Sequence, residues 1–434
     1  MKTYRNWLFI VLALIFSGEV SGQSIQWALN QESGVYRKGE KIVVRAESSG
    51  LGDSLKIRVI RNYTEVLSEK TYAPDGNRIV FEGSFKEPCS IMVEARVGSQ
   101  RRVMDAIGCV VNPEKFRPGF ERPADFDHFW KDQKALLAAS PMEVKSQQLE
   151  VEAADAGYAC FDVELNCPET QPTRGYYAKP LQASPKSLPI IILVRAAGVS
   201  GNWCQCSVNE AVSNAKLGNG ALSFDLNAHG MLNGQPIEYY RALEQGELKN
   251  YWDIGLESRD QYYFRGMYLR LLRAIDYLTQ QPEWDGKRIL VIGESQGGGQ
   301  AAAAAGLDSR VSAVVLHVAA MQDWGAALKG GRGGWPQPVE NHLENAHAIE
   351  KVFPYFDGAL LLKKSKATIF AEIGLIDTTC PAPGIYAAVN QAGGKKILNP
   401  VPYRQHGWPV GKYREMWEKT FLKERLDFID NYLK

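Results

Sequence analysis

The stretch "VIGESQGGGQ", residues 291–300, sets four glycines and one serine between the apolar run "RILVIG" (288–293) and the small-residue stretch "AAAAAGL" (301–307). The apolar run reads as a buried strand and the alanine stretch as a closely packed helix. Between them, Gly293-Glu294-Ser295-Gln296-Gly297 fits the pattern G-x-S-x-G. A serine in that setting sits on a tight, strained turn that lifts its hydroxyl above the sheet. The flanking glycines are needed because a Cβ at either position would collide with neighbouring backbone. The helix that follows points its N-terminal amides at the place where an oxyanion would form. Two other glycine-rich turns compete with this reading. A phosphate loop requires G-x-x-x-x-G-K-[ST], which is absent. A dinucleotide loop requires G-x-G-x-x-G with an acidic residue about 20 positions on, a poor match here.

A nucleophilic serine needs a base, and the base needs an orienting carboxylate; on such a fold they follow in the order Ser, acid, His. Six histidines are present. His342 and His347 lie in a polar stretch before the last strands, and His317 sits inside an apolar strand as a core residue. His406 alone comes after residue 347, in the loop "YRQHGWP" (403–409). For the acid, Asp377 follows the strand-like "TIFAEIG" (368–374), where an α/β sheet places functional groups. Asp308, Asp323 and Asp357 lie in less well-placed segments. His406 would take the Ser295 proton, and Asp377 would fix its tautomer and stabilise the imidazolium. The backbone amides of Gln296 and Val199 are the candidate oxyanion donors, the latter from the loop "AAGVSGNW" (196–203) after the strand "IIILVR" (190–195).

Outward from this site the chain divides into two regions of different period. From about residue 113 onward, apolar strand-like runs alternate with helical stretches, the pattern of a mostly parallel sheet covered on both faces. Residues 23–112 instead alternate at period two, with turn signals at "PDGN" (74–77) and "GSQ" (98–100). That pattern predicts a small antiparallel β-sandwich. It holds no catalytic cluster and is expected to be dispensable for chemistry. The stretch 112–130, with Pro113, Pro118 and Pro123, reads as a linker that few contacts cross, leading into a helix near 124–138.

Residues 1–22 read as a secretory signal: Lys2 and Arg5, then the apolar "LFIVLALIF" (8–16), then small residues before Gln23. The apolar run is far shorter than the roughly 20 residues of a spanning helix. Export to the periplasm or beyond is therefore expected. Removal takes the formal charge from +1 to 0. A neutral chain argues against nucleic acid or an anionic membrane as partner. Of seven cysteines, Cys89 and Cys109 are candidates to pair. Cys160 and Cys167 are too far apart along one strand, and Cys204 and Cys206 lack a partner cluster with zinc spacing. Neither metal nor cofactor is expected.

The residues resemble the acetyl xylan esterase and cephalosporin C deacetylase group of α/β-hydrolases. "RPADFDHFW" (122–130), "YYFRGMYLRLLRAIDYL" (262–278), "GESQGGGQAAAAAGLDSRVSAVV" (293–315), "YFDGALL" (355–361) and "GLID" (374–377) followed by Cys380-Pro381 carry the likeness. It covers roughly 113–434. It implies a triad of Ser295, Asp377 and His406, and removal of acetyl groups from sugar hydroxyls. It also implies an acetylated saccharide as partner and a homo-oligomer. The sequence departs from the family at Asn227-Ala228-His229, at Val199 and at Gly407 after His406, and the N-terminal β unit is an addition. A serine peptidase or general acyl hydrolase on the same fold, and a non-catalytic carbohydrate-binding protein, are the alternatives.

Overall fold

The computed structural model describes residues 23–434; the expected signal segment lies outside the described residues. The first unit holds β1 (Ser24–Leu29), β2 (Val35–Tyr36), β3 (Ile42–Ser49), β4 (Leu55–Arg61), β5 (Glu65–Tyr72), β6 (Gly76–Gly83), β7 (Cys89–Val97) and β8 (Asp105–Val111). They form a sheet in the order β1-β3-β6 and another in the order β2-β8-β7-β4-β5. Strict alternation drives this: Ile42, Val44 and Ala46 of β3 are buried while Arg45 and Glu47 face water. Their inward faces meet Leu55, Ile57 and Val59 of β4 and Ile91 and Val93 of β7 in one core. The expected sandwich is present, and only the short β2·β8 pair is parallel. All seven cysteines are free thiols. Cys89 and Cys109 lie on neighbouring strands, paired in register with Val111 and Ile91 rather than with each other.

The second unit continues with α1 (Phe126–Ala139), β9 (Val144–Leu149), β10 (Tyr158–Leu165), β11 (Thr173–Pro180), β12 (Leu188–Val194), α2 (Val208–Ala215) and β13 (Leu222–Asn227). Then come α3 (Ile237–Gln245), α4 (Tyr263–Leu278), β14 (Trp284–Glu294), α5 (Gln296–Leu307), β15 (Ala313–His317), β16 (Thr368–Gly374) and β17 (Lys396–Val401). Nine strands form one sheet in the order β17-β16-β15-β14-β12-β13-β11-β10-β9. β12 to β17 run parallel, and β9 to β11 add an antiparallel edge. Ile190, Ile192 and Val194 of β12 pack into the core that holds α4 and α5. Ile191 points the other way, with Leu290, Val315 and Phe370, toward Ile429 and Leu433 of the C-terminal helix. Two buried faces explain why these strands are apolar throughout.

The order also locates the crevice. β13 lies on one side of β12 and β14 on the other, so the chain reverses direction across the sheet there. Ligands of open α/β sheets bind outside the carboxyl ends of strands at such a point. β12 delivers the loop with Val199 to it, and β14 delivers Ser295.

The Pro-rich stretch after β8 is not the loose linker its composition suggested. Phe116 stacks on Tyr386 with ring centroids 6.2 Å apart. The Asn390 amide donates to the carbonyls of Pro113 and Phe116 at 2.8 and 3.2 Å. Phe120 is buried in the main core, and the Gly119 amide donates to Asp323. Proline stiffens a chain without saying what it lies against, and here it lies on the α/β unit. Phe120→Ala is accordingly expected to cost about 3–5 kcal/mol, read as a lower urea midpoint at unchanged slope. A change under about 0.5 kcal/mol, the scale of surface substitutions, would restore the linker reading.

Candidate active site

Ser295 caps α5 with φ 54° and ψ −118°, a region that a side chain other than glycine enters at roughly 1–3 kcal/mol. Three backbone bonds hold it there. Its amide donates to the His317 carbonyl at 2.9 Å, and its carbonyl accepts from Gly299 and Ala320. A Cβ on Gly293 would stand 2.2 Å from the Gly297 backbone, and one on Gly297 would stand 2.2 Å from the Val194 carbonyl oxygen. The elbow is thus pressed onto the end of β12, and both glycines are obligatory.

His406 and Asp377 converge on the same point from the loops after β17 and β16. The His406 Nε2 lies 3.0 Å from Ser295 Oγ, and its Nδ1 lies 2.9 Å from Asp377 Oδ2. A carboxylate can only accept, so Nδ1 carries the proton and Nε2 is left to accept from the serine hydroxyl. Asp377 is fully buried, and its other oxygen accepts from the amides of Thr379 and Cys380 at 2.9 and 2.8 Å. The three residues named from sequence are therefore brought into one line. Among the described residues, Asp377, Cys380 and His406 form the sole group with metal-ligand spacing; both imidazole nitrogens in it are already engaged.

Val199 is buried in the loop after β12, next to Gly198 at φ 134°. Behind that loop sits His229, whose Nε2 lies 2.9 Å from the Gly198 carbonyl and whose Nδ1 lies 2.7 Å from the Tyr263 hydroxyl. Burial, aided by the Arg270 charge, drives the His229 pKa down to about 3, so the ring is a neutral donor to the carbonyl. Tyr251 donates to the Gln296 side chain, meets Trp252 edge-on and packs at a tilt against Tyr263 and Trp335.

Beneath the serine lies a buried ionic group. His317 Nε2 is 2.9 Å from Glu372 and its Nδ1 is 3.5 Å from Glu294, the residue before Ser295. Arg404, fully buried, bonds Glu372 through Nε at 3.1 Å. Its Nη1 donates to the Gln405 and His406 carbonyls at 2.7 and 3.0 Å. Trp417 adds a bond to Glu372 at 2.7 Å. Burial raises the Glu372 pKa, but the charges of His317, Arg404 and Arg425 outweigh it and hold the carboxyl well below the usual range. Arg404, Glu372 and Tyr251 were not named from sequence, and His229 was noted only as a departure from the family pattern. Glu372, a charge inside an otherwise apolar strand, was the visible signal, and its parallel partner in register is His317.

The strand order, the elbow and this line of three side chains define an α/β-hydrolase. Residues 111–424 match the acetyl xylan esterase (AXE1) family, and the chain belongs to that family. It is a hydrolase of the carbohydrate acetyl esterase kind. Among curated proteins, the acetyl esterase Axe7A of Xylanibacter ruminicola is 28% identical over 368 residues, 82% of this chain and 80% of that one. Among solved structures, the acetyl xylan esterase from Paenibacillus sp. R4 is 25% identical with a TM-score of 0.58, over 72% of this chain and 98% of that one. Acetyl xylan esterase 1 from Thermoanaerobacterium sp. JW/SL YS485 shares the fold at 20% identity and a TM-score of 0.57, over 72% of this chain and 97% of that one.

Glu372→Gln is expected to cost about 3–5 kcal/mol, since Arg404 and His317 would keep buried charges without their shared anion. Burial lowers the His317 pKa, while Glu372 and Glu294 bring it above its ordinary value. A histidine raised in this way stabilises the fold below its unfolded pKa, and the contribution fades as pH rises through the folded pKa. The deficit of Glu372→Gln should therefore be largest near about pH 6 and shrink toward about pH 9, measured by urea titration. An equal deficit at both ends would show that the pair is not charged.

Proposed function

We propose that this chain is an exported serine esterase that removes acetyl groups from acetylated xylan and related plant saccharides. Ser295 is the nucleophile, His406 the general base and then general acid, and Asp377 the residue that orients and stabilises the imidazolium. The observation that carries the reading is the unbroken line from Ser295 Oγ through His406 to the buried Asp377. Family membership favours it over the peptidase and non-catalytic alternatives.

The steps follow from the geometry. The Ser295 hydroxyl attacks the acetyl carbonyl as its proton passes to His406 Nε2, giving a tetrahedral oxyanion. The amides of Gln296, at the head of α5, and of Val199 stabilise that charge; such preorganised donors typically supply the largest single share of rate enhancement. His406 then protonates the departing sugar oxygen. Water, deprotonated by the same imidazole, attacks the acetyl-serine ester and releases acetate. Tyr251 bonds the Gln296 side chain next to the nucleophile, and Trp252 and Trp335 pack on Tyr251; we read this aromatic group as a wall that favours a short acyl chain. Among the described residues no helix is long and apolar enough to cross a membrane, and the signal-like residues 1–22 support export.

Ser295→Ala and His406→Ala should each lower turnover of an aryl acetate by several orders of magnitude without lowering Tm, and Asp377→Asn by less. Activity within tenfold of wild type for Ser295→Ala would remove the serine from this role. The acyl pocket should also prefer acetate. In an open apolar pocket each added methylene gains about 0.8 kcal/mol, so only a closed pocket reverses that trend. A higher kcat/KM for octanoate than for acetate would make this a general esterase. Acetate release from acetylated xylan, compared with acetylated mannan and pectin, tests the glycan.

A further inference from the structure

The turn between β4 and β5 contains an unusual residue. Asn62 and Tyr63 have φ of 49° and 66°, and the Thr64 amide closes on the Arg61 carbonyl at 3.2 Å. Two consecutive positive φ values make a type I′ hairpin, whose second central position favours glycine. A bulky tyrosine there is strained, and such strain persists where surrounding contacts demand it. Asn62 supplies part of the restraint, bonding Ser90 with both its backbone amide and its side chain.

The contact that uses the strain lies in the other unit. The Tyr63 hydroxyl donates to the Leu375 carbonyl at 3.0 Å and accepts from the Ala382 amide at 3.5 Å. Leu375 and Ala382 bracket Asp377 on its loop. Tyr63 feels the Asp377 charge directly: burial first, then that carboxylate, pushes its phenol far above the ordinary range. A second contact reaches the other catalytic loop, where the Gly108 amide of β8 donates to the Pro402 carbonyl at 2.8 Å. Gly108 has no room for a side chain, since a Cβ would stand 2.3 Å from the Leu375 carbonyl oxygen. Farther out, Lys412 and Tyr413 bond Asp105. The sandwich thus grips the loops that bear Asp377 and His406, contacts that the expectation of a dispensable unit did not include.

We propose that the N-terminal sandwich is a working part of the active site, and that Tyr63 is a positioning residue that fixes the Asp377 loop by bridging Leu375 and Ala382. The inference rests on the Ser295–His406–Asp377 reading above. With the bridge in place, Asp377 stays in line with His406 Nδ1; without it the loop explores other positions and the imidazolium is less well stabilised. The effect belongs in kcat, because Tyr63 touches no substrate.

Tyr63→Phe keeps the ring and the turn and removes only the bridging oxygen. With an aryl acetate, kcat should fall about tenfold while KM stays within twofold and Tm changes little. The loss should vanish when the substitution is made in Asp377→Asn, because both changes act through one carboxylate. Thr64→Ala, which removes a bond at 2.8 Å to the Gly330 carbonyl in the same interface, should leave kcat unchanged. The proposal is overturned if Tyr63→Phe retains kcat within twofold. It is overturned equally if the loss is the same size in Asp377→Asn, or if Thr64→Ala matches it. Ser295→Ala, run alongside, separates the two levels: full activity there would defeat the triad itself, whatever Tyr63→Phe does.

Discussion

Everything at this site depends on one backbone constraint: the chain must turn from β14 into α5 within a single residue. That residue is Ser295, held at a positive φ by bonds to His317, Gly299 and Ala320. The turn succeeds because the positions two before and two after it carry no side chain. Gly293 and Gly297 let the elbow touch itself and the end of β12. Past the turn, α5 is buried along almost its whole length and built mostly from glycine and alanine. A Cβ at Gly297, Gly298 or Gly299 would stand 2.2, 2.8 and 2.8 Å from backbone atoms of Val194, Ala319 and Ala320, and making room would carry the serine with it.

The same need for fixed geometry accounts for the charges below the sheet's end. Glu372, His317 and Arg404 are buried and, with the partly exposed Glu294 at their edge, form a group in which each charge has an opposite neighbour. Taking such charges out of water is costly, and a well-packed apolar substitute is often as stable. What the ionic group provides instead is direction. Arg404 spans from Glu372 on β16 to the carbonyls of Gln405 and His406, so the strand that leads to Asp377 and the loop that bears His406 share one anchor. Glu294 ties the serine's own strand to the same cluster. Three loops from three strands are thus referenced to a common centre.

Legibility in the sequence followed the range of the interaction. The elbow could be read because strand, turn and helix are contiguous, and each leaves a local trace in periodicity or glycine content. The chain order Ser295, Asp377, His406 could be read because strand ends of a parallel sheet all reach one edge. Family likeness was legible in separate motifs and extended the reading to acetyl ester chemistry. Contacts set by register or by docking were not. Nothing near His317 names Glu372, because their pairing comes from β15 lying beside β16. Tyr63 gave no sign either, since a tyrosine in a hairpin turn carries no indication of what it touches 312 positions later. The prolines after β8 were misread for the same reason: composition reports stiffness, whereas burial of Phe120 depends on a surface assembled from distant segments.

That separation of 312 residues between Tyr63 and Leu375 also orders events in time. Domains generally fold as units, the N-terminal one first as the chain emerges. The docking face, with Tyr63 on its strained hairpin and the bare backbone at Gly108, lies wholly within that first unit and needs none of its counterpart to take shape. β16, β17 and their loops are among the last segments synthesised, and they arrive to meet a template already in place. Contacts of such long range close slowly, but a preformed template narrows what the late loops must search.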